Sequence, residues 1–137
     1  MTNQHFEKNC RKFLDQNSSQ LESDFLAACF RESSSKQKEV GIAIRRAISK
    51  LGNIESKFIR AEASFEDFDV LPYWNLCGDA GFNTTTFIEA IQSELYVQFT
   101  QEQLRLSPVR DPDLNTHMKI HEFINEFYYW YDSLILV

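Results

Sequence analysis

The sequence is short of the residues that punctuate β-structure, with only four glycines and three prolines among 137 positions. Sandwiches and barrels need turn signals every ~8–12 residues, so this scarcity argues against an all-β fold. It also excludes collagen-like and Pro/Gly-rich low-complexity chains. Cysteine is equally sparse: Cys10, Cys29 and Cys77 are an odd set at wide, irregular spacing, which fits reduced thiols better than a disulfide framework. No stretch approaches the roughly 18 apolar residues of a membrane span. Residues Met1 to Lys12 carry Glu7, Lys8, Arg11 and Lys12 and no apolar run, so a secretory signal is not expected and a cytoplasmic location is. The phosphate-binding patterns G-x-G-x-x-G and G-x-x-x-x-G-K-[ST] are missing, as is the nucleophile pattern G-x-S-x-G.

Aromatic residues, by contrast, are abundant: 12 Phe, 5 Tyr and 2 Trp. With 43% hydrophobic and 25% charged residues, the chain suits a single domain able to fold without metal or disulfide staples. The net charge of −6 conceals a division, since residues 1–61 are basic on balance and residues 62–137 strongly acidic. Such halves attract one another in the fold or present separate surfaces to partners.

Helical periodicity recurs along the chain. Phe6, Cys10, Phe13 and Leu14 form one short apolar face; Leu21, Phe25, Leu26, Cys29 and Phe30 form a second, after a cap at Ser18 or Ser19. The clearest pattern lies in residues 36–61, where Val40, Ile44, Ala47, Ile48, Leu51, Ile54, Phe58 and Ile59 gather on one side. Lys38, Arg45, Arg46, Lys50, Lys57 and Arg60 fall opposite, and Gly52-Asn53 marks a stop, so two helices joined by a bend are expected. Thr86 and Glu89 are spaced as a capping box for a helix that runs to about Leu106 with Phe87, Ile91, Leu95 and Phe99 on one face. A strand near residues 95–100 is the rival reading, because that run is β-branched and aromatic. After a Pro108/Pro112 loop, a last helix is expected from near Asp113. Six of its nine residues at 123–131 are aromatic, more than one face can bury. The expected fold is thus all-α, a single irregular bundle of about five helices, with α+β as the alternative.

Three constellations are candidates for function. Residues 62–82 lose periodicity and mix acids with aromatics; here Ser64 and Asp67 are spaced to cap one helical turn that Pro72 would end. Phe65, Phe68, Tyr73 and Trp74 are expected as apolar anchors, with Glu66, Asp67 and Asp69 steering a protein partner that has a basic surface. That pattern suits a small acidic inhibitor, immunity-type or adaptor protein, and the aromatic C-terminal helix would equally make a homodimer. Asp113, His117 and His121 follow D-x3-H-x3-H, which lines one helical face with types that bind a divalent metal. The zincin signature H-E-x-x-H is incomplete, since no second His follows His121-Glu122 at the required spacing. Finally, Arg45, Arg46, Lys50 and Lys57 form a basic stripe suited to phosphates, against an overall field that opposes nucleic acid. Cys77 beside Gly78 is a candidate nucleophile whose ordinary explanation is a packed thiol near a turn.

Overall fold

A computed structural model describes residues 18–70, 84–108 and 117–135. Those residues hold five α-helices and no strand, so the chain is an all-α bundle. We label them α1 (Glu22–Cys29), α2 (Ser35–Gly52), α3 (Thr84–Leu95), α4 (Gln101–Arg105) and α5 (Ile120–Ile135). Short 3-10 helices at Ser56–Phe58 and Phe65–Val70 lie between α2 and α3.

Helix α2 organises the bundle. A reciprocal capping box starts it: the Ser34 hydroxyl accepts from the Gln37 N–H, and the Gln37 side chain accepts from the Ser34 N–H. Val40, Ala43, Ile44, Ala47 and Ile48 then recur on its inner face and are buried. Each fully buried Val or Ile of this kind contributes roughly 1.5–3 kcal/mol. Helix α2 packs against α1, α3 and α5. Its contact with α1 is close because residue 41 is glycine: a Cβ there would lie 2.8 Å from Leu26 Cδ2. The expected second helix after Gly52 does not form. Asn53 adopts a left-handed conformation (φ 51°), the Ile54 N–H turns back to the Ser49 carbonyl, and only a 3-10 turn follows.

Two further expectations are corrected. Helix α1 begins at Glu22 rather than from a Ser18 or Ser19 cap; Leu21 precedes it without a side-chain cap and is exposed. The helix expected to reach Leu106 breaks at Leu95, and Thr86 lies inside α3 rather than capping it. Tyr96 turns left-handed (φ 56°), the Val97 N–H donates to the Gln92 carbonyl, and the Phe99 N–H donates to the Gln92 Oε1 at 2.8 Å. Gln92 takes these donors and residues 97–100 pair with no strand, which disposes of the α+β alternative among the described residues. A second capping box, Thr100 with Gln103, then starts α4.

The core joins all of these pieces. Phe65, Phe87, Phe123 and Phe127 form a chain of ring contacts at 5.3–6.0 Å, and Phe99 extends it to Trp130 at 4.9 Å. Most of the aromatic C-terminal helix is therefore absorbed: Phe123 and Phe127 are buried, Tyr128, Trp130 and Tyr131 pack against the core, and Tyr129 stays exposed.

Candidate functional site

The acidic-aromatic segment is built differently from its expected role. Backbone bonds from Ile120 to Ala63, from His121 to Ala61 and from Phe65 to Met118 moor it to the start of α5. Asp67 accepts from the Ser64 N–H at 2.9 Å, as the spacing predicts, and sets up the 3-10 turn. With three residues per turn, Phe65 and Phe68 share one side. That side is the core, where they are 2% and 0% exposed. They are not partner anchors, because a ring sealed inside the bundle reaches nothing outside. Glu66 and Asp67 are exposed, and Glu66 pairs with His117. Tyr73, Trp74 and the Asp69 side chain lie outside the described residues.

The metal constellation is only partly placed. Asp113 lies outside the described residues; His117 is exposed and pairs through Nδ1 with Glu66 Oε2 at 2.9 Å. His121 is half-buried, with its backbone N–H on the Ala61 carbonyl. Among the described residues, no group of three or more His, Cys, Asp or Glu is gathered as a metal site would require.

The basic stripe does not form one free face. Arg45 is 4% exposed and points into the bundle, a correction to its expected place on the outer side of α2. Its Nε donates to the Ile59 carbonyl at 3.0 Å, and its Nη2 to the carbonyls of Gln20 at 2.7 Å and Lys57 at 3.3 Å. The guanidinium lies 4.4 Å over the Phe25 ring. Burial pulls its pKa down, while Glu22 opposes the shift. Its five N–H donors suit it to collecting carbonyls of irregular chain, which periodicity alone does not reveal. Lys50 pairs with Glu94 at 2.5 Å and Lys57 with Glu55 at 3.5 Å; Arg46 is exposed.

The face that periodicity did not single out lies across α3 and α4. A shallow groove of about 740 Å3 runs between them, with Ile88, Phe99 and Leu104 among its apolar walls and Glu89, Gln92 and the Glu102–Arg105 ion pair among its polar ones. An adjoining depression shares Glu89 and Gln92 and includes Tyr96. Tyr96 is 92% exposed, the most exposed large apolar side chain among the described residues. A tyrosine in left-handed backbone is strained by roughly 1–2 kcal/mol, and an exposed ring recovers little of this inside the molecule. The signal in the sequence is the β-branched and aromatic run at 95–100, which disfavours continued helix; no glycine or asparagine marks where the helix stops.

Buried Cys29 has the opposite character. Burial pushes its thiol up to about 12, against the lowering effect of Arg45, so the neutral thiol is strongly favoured. It packs in the core, and its carbonyl accepts from the Asn125 side chain. Cys10 and Cys77 lie outside the described residues. No helix among the described residues is long and apolar enough to cross a membrane. No protein-family model, curated protein or solved structure matches the chain.

Proposed function

We propose that this protein is a non-enzymatic recognition module that binds a protein partner through the α3–α4 face, with Tyr96 as the apolar anchor. Tyr96 is the observation that carries the reading. Its backbone conformation costs stability, and a ring that is 92% exposed gives little of that back within the chain. Contact with a partner is the return that explains a tyrosine where glycine would sit without strain. Glu89 beside the groove, with Glu66 and Asp67 on the moored 3-10 turn, favours a partner with a basic surface, while Glu102 is already paired with Arg105. Inhibitors, immunity-type proteins and adaptors work by such contacts, and a second copy of this chain is the competing occupant.

The test is quantitative capture from lysate of the source organism, in the presence of nuclease, by wild-type protein and by Tyr96→Gly. Recovery of a stoichiometric partner should fall about tenfold or more with the variant, which corresponds to the loss expected of an interface anchor. The mass of the purified protein in solution identifies a self-partner. Equal recovery by both proteins would end the assignment of Tyr96.

A further inference from the structure

We infer that the groove between α1 and α2 is a second docking site, for an acidic protein segment that presents apolar side chains on one face. The groove has a volume of about 440 Å3; exposed Ala27 and half-buried Ile42 contribute apolar surface to it over a floor of buried Leu26 and Phe30, and Arg31 and Lys38 line it as cations. Lys38, Ile42 and Arg46 follow at four-residue spacing, so they form one row along α2 and carry the positive charge past the groove. Glu22 is the carboxylate among the lining residues.

The state of these cations sets them apart. Lys36 pairs with Asp132, Lys50 with Glu94, Lys57 with Glu55, Arg60 with Glu62 and Arg105 with Glu102, and Arg45 is consumed by carbonyls. Arg31, Lys38 and Arg46 have neither an ion pair nor a side-chain hydrogen bond among the described residues, and all three are exposed. Among the described cations of residues 18–61, Lys36, Arg45, Lys50, Lys57 and Arg60 thus have partners, while Arg31 and Lys38 at the groove and Arg46 beyond it do not. A bare polyanion would use the charges and leave the apolar surface of Ala27 and Ile42 unused. An acidic amphipathic segment satisfies both, with carboxylates on the rim and apolar side chains in the groove. The site stands apart from the Tyr96 face: its residues lie on α1, α2 and the turn between them.

The experiment is selection of displayed random peptides, about four helical turns long, against the full chain. Enriched sequences are expected to carry excess Asp and Glu with apolar residues three and four apart. Synthetic copies should bind Arg31→Glu/Lys38→Glu about tenfold or more weakly, and wild-type binding should weaken as salt rises. Both substituted residues are exposed, so the double variant is expected to keep its far-ultraviolet circular dichroism. Binding should survive Tyr96→Gly, which separates this site from the α3–α4 face. Neutral or basic enriched sequences, no enrichment, or affinity indifferent to the double reversal would overturn the inference. A single-stranded DNA oligonucleotide that binds more tightly than the peptides and is lost with the same reversal would replace the protein occupant with nucleic acid.

Discussion

Residues 61–70 and residues 95–100 both connect helices, and both set aromatic side chains among polar ones, yet they dispose of those rings in opposite ways. In the first, backbone bonds to the start of α5 fix a 3-10 turn whose three-residue repeat sends Phe65 and Phe68 inward together and leaves Glu66 and Asp67 outside. In the second, a left-handed residue ends α3 and throws Tyr96 out while Phe99 folds back beneath Trp130. An exposed aromatic therefore marks a surface only when the backbone around it is known. Composition alone treats Phe68 and Tyr96 as equals.

The sharpest way to break this comparison is to truncate Phe68. It is fully buried, so Phe68→Ala should cost about 3–5 kcal/mol by transfer plus cavity formation. Urea unfolding measures it. A loss below about 1 kcal/mol would mean that the ring is not sealed in the core and would restore it as a candidate anchor.

A second contrast lies within the basic helix, between Arg45 and Arg46, adjacent residues that the helical projection groups together. Arg45→Ala removes the donors to the Gln20 and Ile59 carbonyls, and a loss of roughly 2–4 kcal/mol is expected. Arg46→Ala should stay within about 0.5 kcal/mol. Equal effects in denaturant titrations would contradict the separation of structural from surface cations on which the α1–α2 groove depends.

How much of this was legible in the sequence follows from which forces are local. The faces of α1 and α2 were readable because Phe25 and Ile44 recur with the helical repeat, and the Ser64–Asp67 turn because its cap is three residues long; the core side of α5 was not, because aromatics at 123–131 cover nearly every direction. The break at Tyr96 was not, because helix-ending chemistry is usually announced by glycine or asparagine, and here a tyrosine holds the left-handed position with Gln92 collecting the freed N–H groups. Arg45 was also hidden, because its carbonyl partners Gln20 and Ile59 lie 25 and 14 residues away in the chain. The Arg45 environment is therefore set by contacts far along the chain, whereas the Tyr96 break rests on a local exchange between Gln92 and residues 97 and 99 that helical periodicity does not express.

Cys29 supplies a smaller, pH-dependent effect. Its folded-state pKa is raised from 9.0 to about 12, chiefly by burial. The unfolded chain therefore releases this proton first as pH rises. The contribution of the thiol to stability is intact below about pH 9 and is lost progressively as pH climbs toward 12. Wild type should lose stability relative to Cys29→Ala above pH 9, by at most about 1.4 kcal/mol per pH unit. Parallel stability profiles from pH 8 to pH 10, a window of about two units around the ordinary thiol range, would show that the site is open to water.

The change at Tyr96 is small and carries the most for function, because it has the unusual sign. The backbone at Tyr96 and at Asn53 is left-handed in both cases, with φ of 56° and 51°. Asparagine tolerates that region well and tyrosine does not. Relief of roughly 1–2 kcal/mol of strain, offset by the greater chain entropy of glycine, leaves Tyr96→Gly more stable by about 0.5–1 kcal/mol. Asn53→Gly should change stability by only a few tenths of a kcal/mol, about the noise of the measurement. Tyr96→Ala separates backbone from ring, since alanine keeps the strain and removes the phenol, and it should match wild type in unfolding experiments. If Tyr96→Ala and Tyr96→Gly both lost stability together, the ring would be packing within the chain, and the case for a partner on the α3–α4 face would fall with it.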